Sequence, residues 1–355
     1  MPQPLRTIEQ RMTKVAYLLG AGASAQRLPV IANMTSRIAQ QLKWLEGKME
    51  QVDDQHGHTS LGKTSRALLM EYCTELSKLP DLVAPYATID LYARWLQTNR
   101  DFRRLDDFKA VLITFFAIEQ YSNGFDPRYE GFFGSILDHS NRKLPDDVVI
   151  LTWNYDQHIA MALARAGQHS DLNEVMQKYG IRTLWRLSKG QVSDFKVLHL
   201  NGIAGFNARA CDRPMHDYIG DRCHTRGIPL DEIAYFFGML FHDRFSGGEG
   251  QMLLGYAWEA LEDHETPWEK VATRIQGIEE LVVIGYSFPD FNRLVDLKLI
   301  AAMKGLKRIV LQVPTDAIDG LLIKLRMIMP ENADKVIPYP LTREFYIPNQ
   351  LLLRS

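Results

Sequence analysis

Residue types suited to proton transfer and sugar chemistry sit at the ends of apolar runs in this sequence. "KVLHLNG", residues 196–202, places His199 and Asn201 one residue apart where a run breaks at Gly202. "VVILTWNYD" ends in Thr152, Asn154 and Asp156, and "LVVIGYSFPD" continues its run with Gly285 and Ser287. "VAYLLGAGAS" stops at Gly20 and carries Ala21, Gly22 and Ser24, with Gly20, Gly22 and Ala25 in GxGxxA spacing. Glycines so spaced let the backbone approach a pyrophosphate, whose charge the free N–H groups of a following helix would meet. A tight strand-to-helix turn needs the same glycines on steric grounds alone. An imidazole at His199 takes a proton near neutral pH, and an asparagine amide orients a water or a sugar hydroxyl without titrating. Each residue also has a purely structural reading. Asn154 reads as a turn cap, Ser24 as a helix cap and His199 as a satisfied strand histidine. His158, just after "NYD", is a more distant candidate and reads as a helix-surface or capping residue.

The elements that position these groups follow from the same runs. Five continuous apolar segments, "VAYLL", "VVILT", "FKVLHL", "ELVVI" and "LKRIVLQV", are separated by helical segments. This pattern predicts an α/β fold, a Rossmann-like doubly wound parallel sheet with helices on both faces. In such sheets ligands sit at the carboxyl ends of the strands, where this chain keeps its Gly, Ser, Asn, Asp and His. The stretch between the first two strands is too long for a simple crossover. "NMTSRIAQQLKWLEG", "ATIDLYARWLQTN" and "DDFKAVLITFFAIEQYS" carry helical periodicity there. The expected division is therefore an α/β domain from 1–40 and 146–345, a helical insertion over 41–145, and an apolar C-terminal tail, 346–355, docked on a neighbour. Two later helices, around "LDEIAYFFGMLFHDRF" and "TPWEKVATRIQGI", are expected to flank the "ELVVI" strand.

Composition narrows the class. A net charge of −2 gives no electrostatic case for nucleic acid. The densest basic stretch, "NRDFRRLDDFK", is interleaved with aspartates and reads as a solvated helix face. The chain is expected to lack a signal peptide and a membrane span. Its three scattered cysteines point to the reducing cytoplasm. Cys211, His216, Cys223 and His224 fit no standard zinc spacing, so no metal is expected.

"GAGAS", "TWNYD", the "LxG" turn and "VVIGYSFPDFN" occur in the order in which sirtuin-like proteins carry them. The set most resembles the bacterial sirtuin-like NAD-consuming proteins of phage defence, a group that includes Thoeris effectors and partners of HerA-type ATPases. The resemblance implies NAD as substrate and an NAD glycohydrolase releasing nicotinamide and ADP-ribose. It also implies control by homo-oligomerisation or by a partner such as a HerA-type ATPase. It places Gly20, Ala21, Gly22 and Ser24 along the pyrophosphate. Thr152, Asn154 and Asp156 would surround the nicotinamide ribose, and Gly285 and Ser287 the adenosine half.

Other nucleotide chemistries fit less well. A dinucleotide dehydrogenase would show a second strand ending in an acidic residue ~20 positions on, where "QQLKWLEGKMEQ" reads as helix. Protein deacylation is disfavoured, because the zinc-binding cysteine quartet of sirtuins is missing and "VIANMT" follows Pro29. The sequence also departs from the family. Sirtuin-like enzymes carry "LHG" where this chain reads "LNG", so Asn201 stands at the general-base position. Three outcomes stay open: His199 replaces the base from the same side of the strand, the two asparagines suffice for a slow hydrolysis, or the site binds NAD or ADP-ribose without cleaving it. Asn292 and Val313 also differ from the family, on the adenosine side.

Overall fold

The structure is a computed structural model. It describes residues 13–352 apart from 53, 55–56, 59–61, 139, 170–171, 185–193, 209–229, 243–249 and 260–267. Apart from a two-residue antiparallel pair, Gly57–His58 with Lys63–Thr64, the strands in chain order are β1 Val15–Leu19, β2 Val148–Thr152, β3 Ile181–Thr183, β4 Val197–His199, β5 Gly202–Ala208, β6 Gly250–Leu254, β7 Glu280–Ile284, β8 Arg308–Gln312 and β9 Val336–Tyr339. Seven of them form one all-parallel sheet in the order β9-β8-β7-β1-β2-β4-β3, while β5 and β6 pair antiparallel apart from it.

Covering both faces of a parallel sheet makes its strands continuous apolar runs, and alternate residues then serve opposite cores. Ala16, Leu18, Val149, Leu151, Leu281 and Val283 join one core. It is closed by α9 Trp268–Ile275, α10 Arg293–Ala302 and α11 Thr315–Ile328. Val15, Tyr17, Leu19, Val148, Ile150 and Val282 join the other. There α5 Pro127–Ile136, α6 His158–Gly167 and α7 Leu172–Lys178 pack. The doubly wound α/β reading holds. The chain leaves β1 for β2 on one side and later returns to β7 on the other. The carboxyl end of β1 is thus the switch point, where such sheets open a crevice.

A third core lies away from the sheet. It gathers α1 Met34–Glu46, α2 Ser65–Val83, α3 Ile89–Thr98 and α4 Phe102–Asn123 with α8 Leu230–His242 and Leu254 of β6. The cores therefore cut the chain differently from the expected boundaries. α5, inside the expected insertion, buries Tyr129, Phe132 and Phe133 against the sheet. α8, expected beside the "ELVVI" strand, packs on α2 and α4 instead. The C-terminal segment docks within the chain. Phe345 and Leu351 enter the sheet core, and the Gln312 side chain accepts from Tyr346 N at 2.9 Å and donates to the Glu344 carbonyl at 2.6 Å.

"NRDFRRLDDFK" leads into α4 and exposes Arg100, Arg103 and Arg104, but Leu105, Phe108 and Lys109 are buried, the lysine paired with Glu259 at 2.8 Å. Among the described residues no helix is long and apolar enough to cross a membrane. Cys211, His216, Cys223 and His224 lie outside the described residues. Among those described, no group of three or more His, Cys, Asp or Glu is arranged to hold a metal ion.

Candidate functional site

After Leu19 the chain makes a short 3-10 turn, Ala21–Ala23, and α1 begins only at Met34. No helix follows the glycines directly, contrary to the sequence expectation. Their amides bond inside the protein: Gly20 N–H to Ile284 O, Gly22 N–H to Gly285 O, Ala23 N–H to Gly20 O and Ser24 N–H to Ala21 O. A Cβ on Gly20 would lie 2.6 Å from Tyr286 Cα. The glycine spacing is thus fully used in packing the β1 turn against the β7 turn. Arg128 of α5, paired with the buried Asp126, holds this turn from behind by donating to the carbonyls of Gly22 and Ala23 at 3.0 and 3.1 Å.

Ser24 ties the β1 turn to the β2 turn. Its hydroxyl donates to Asp156 Oδ2 at 2.6 Å and accepts from Asn154 Nδ2 at 3.2 Å. Asp156 Oδ1 accepts the His158 amide at 3.0 Å, so the carboxylate sits at the amino end of α6, where negative charge is favoured. Neither local-cap reading matches these bonds: the Asn154 and Ser24 side chains bond to each other across two strand ends.

These turns wall a cleft of about 900 Å³ of empty space, part of it open to solvent. The β1 turn contributes Ala21 and Ser24, the β2 turn Trp153 to Asp156, the β4 turn Asn201, and the β7 turn Gly285 to Ser287 with Asn292. The insertion adds Thr88, Ile89, Asp90 and Phe116, and the segment after the β1 turn adds Leu28 to Ile31 and Met34. Among the described residues no lysine or arginine lines it. Of the residues singled out from sequence, Ala21, Ser24, Asn154, Asp156, Asn201, Gly285 and Ser287 share this wall. Gly20, Gly22, Thr152 and His199 do not.

Thr152 is buried, its Oγ1 accepting the Asn154 amide at 3.0 Å. His199 is 1% exposed and lies behind Asn154, with Nδ1 3.3 Å from the Asn154 carbonyl oxygen. The same-side argument for His199 and Asn201 fails because β4 ends at His199 and the chain turns before Asn201. Burial pushes the His199 pKa down, so the ring is neutral, with Asp156 opposing the shift. His158, expected at a helix surface, is fully buried, and its Nδ1 accepts the Asp126 amide at 3.4 Å.

Asn201 is on the wall but well held. Its Oδ1 accepts Ala257 N–H at 3.0 Å, and its carbonyl accepts Gly255 N–H at 3.1 Å. Tyr155, also on the wall, donates its hydroxyl to Asp90 Oδ1. Burial pushes the Asp90 carboxyl up to about 6, against the pull of that hydroxyl. Asp296 is raised further, to about 8, again by burial, with Tyr286 OH 2.9 and 3.1 Å from its two oxygens. Asn292 donates to the same phenol at 3.2 Å. An acidic residue at 292 would put a second carboxylate on that phenol, a physical reason for the amide there.

Sequence reading passed over Asp90, Asp126 and Arg128. In "ATIDLYARWL" an aspartate in the first helical turn already has a sufficient role at the helix dipole, so nothing marked it out. No protein-family model matches the chain, and no curated protein matches it significantly.

Proposed function

We propose that the cleft binds an NAD-type nucleotide and hydrolyses its nicotinamide–ribose bond. The observation that carries this reading is the convergence of Asn154, Asn201 and Ser287 from three strand ends on one cleft at the switch point of a doubly wound sheet. Breaking that bond leaves an oxocarbenium-like ribose, which fixed amide dipoles stabilise. Asn154, anchored through Ser24, is suited to orient a ribose hydroxyl or the attacking water. The ordered "GAGAS", "NYD" and "IGYS" motifs add the sirtuin-like resemblance as support. A gated role in anti-phage defence, with a homo-oligomer or a HerA-type partner, follows from that resemblance and not from the cleft. Incubating the purified protein with NAD and following nicotinamide and ADP-ribose tests the reading; release of both is the expected result.

A second reading is a binding module that senses NAD or ADP-ribose and signals to a partner. It is favoured by one observation: among the described residues no histidine lines the cleft, and Asn201 stands where the base is expected. NAD-induced stabilisation without nicotinamide release, across pH and with the partner present, selects it.

A further inference from the structure

We propose that Asp90 is the proton acceptor of the cleft, the carboxylate that takes a proton from the attacking water. This rests on the hydrolysis reading given above. In the step, the C1′–N bond breaks and its electron pair passes to the ring nitrogen, which discharges the pyridinium as nicotinamide leaves. The water oxygen bonds C1′, and its proton passes to Asp90 and from there to solvent.

The geometry carries the assignment. Asp90 lies in the first turn of α3, whose amino end is capped by Thr88 Oγ1 accepting Leu91 N–H at 3.1 Å. It is half-buried on the cleft wall, within reach of a nucleotide bound there and of the attacking water such a nucleotide needs. Tyr155 of the β2 turn donates its hydroxyl to Asp90, and Asn201 lines the same wall. The insertion's carboxylate therefore shares a wall with the position where the resemblance expects a histidine. In this cleft the titrating group stands on α3 instead of the β4 turn.

The charge environment suits the role. Besides burial, the Tyr155 hydroxyl and a backbone amide of its own turn act on Asp90, both lowering its pKa, and its charge in turn reaches the phenols of Tyr155, Tyr256 and Tyr286, which burial keeps neutral. Arg94, one turn on along α3, donates to the Phe291 carbonyl. Among the described residues no lysine or arginine shares the wall. A carboxylate raised to about 6 is ionised at neutral pH and still basic enough to accept a proton there. The other wall carboxylate, Asp156, already accepts from Ser24 and the α6 amide.

The test is steady-state nicotinamide release across pH 5–8 for wild type, Asp90→Asn, Asp90→Glu and Tyr155→Phe, with NAD-induced thermal shifts alongside. Asparagine keeps an acceptor for the Tyr155 hydroxyl, so the expected loss for Asp90→Asn is at least ~10²-fold in kcat with the NAD shift retained. Asp90→Glu should recover part of that loss. In wild type the rate should rise with pH through about 6, because the base must be ionised. Tyr155→Phe removes a bond that lowers the Asp90 pKa and should move this acid limb to higher pH. An active wild type with undiminished turnover in Asp90→Asn, or an acid limb unmoved in Tyr155→Phe, overturns the assignment alone. A wild type that releases no nicotinamide at any pH overturns the hydrolysis reading and this assignment together.

Discussion

Gly22 and Gly285 meet across the ends of β1 and β7 so closely that a Cβ on Gly22 would sit 2.7 Å from the Gly285 Cα. A Cβ on Gly285 would sit 2.5 Å from Gly22 backbone atoms, and Gly285 has φ +60°. Both obstacles are main chain, so neither can swing aside. Gly285→Ala is expected to lower stability more than Gly22→Ala, since it adds left-handed backbone strain to the clash. Losses of at least ~2 kcal/mol are expected for each, read as lower chemical-denaturation midpoints. A neutral Gly22→Ala would mean that the glycine serves a ligand and not the turn contact. Large substitutions at Gly22 accordingly report on folding before they report on pyrophosphate.

Asp296 should make the fold less stable as pH rises. Its carboxyl stays protonated in the folded protein to about 8, whereas an unfolded aspartate releases its proton near pH ~4. Between those values the folded state holds more protons, so stability falls with rising pH and the contribution is greatest on the acid side. Asp296→Asn keeps a partner for Tyr286 and removes the titration. Melting temperatures of variant minus wild type should therefore climb from pH 5 to pH 8. A flat difference would mean that Asp296 is ionised in the fold.

His199 should act in the opposite sense and outside the chemistry. The fold holds it neutral below the ordinary histidine range, so the unfolded chain takes up a proton first as pH drops below ~6.5, and stability falls with it. His199→Ala leaves a cavity behind Asn154 and is expected to cost roughly 2–4 kcal/mol. Turnover per folded molecule should stay within ~10-fold of wild type, the loss coming through a less rigid Asn154. A fall of ~10³-fold at full folding would return His199 to the role of base.

The sheet was legible because parallel strands buried on both faces leave long apolar runs, and five such runs became β1, β2, β4, β7 and β8. β3 was not, because Ile-Arg-Thr makes no continuous apolar run, nor was the β5–β6 ribbon, where Gly202 and Gly205 interrupt the strand pattern. Periodicity marks an apolar helix face without saying which core it meets. That is why α5 and α8 were grouped with the wrong neighbours. Asn154, Asn201 and Ser287 were legible as strand-end polar groups. Asp90 was not, because its significance comes from Tyr155, sixty-five positions away, closing over it.

The remaining prediction concerns the asparagine in "HLNG". If the site had simply lost its base, Asn201→His should restore it and raise hydrolysis by ~10²-fold or more. The structure argues for the reverse. Asn201 is 3% exposed, and its side chain satisfies the Ala257 amide at 3.0 Å. An imidazole there has one acceptor nitrogen at most and a larger ring. Accepting from Ala257 would oblige the other ring nitrogen to carry the proton into a buried wall, and protonation of both would orphan the Ala257 amide altogether. Leaving a buried donor unmet costs about 1–3 kcal/mol, and crowding adds to it. Asn201→His should therefore be destabilised and no faster than wild type, with its acid limb still set by Asp90. Asn201→Ala should leave the Ala257 amide unmet without the crowding and should keep the same acid limb, since Tyr155 still donates to Asp90. A histidine variant that folds normally and turns over ~10²-fold faster would show that position 201 faces the reacting atoms as a vacant base, and would displace Asp90 from that role.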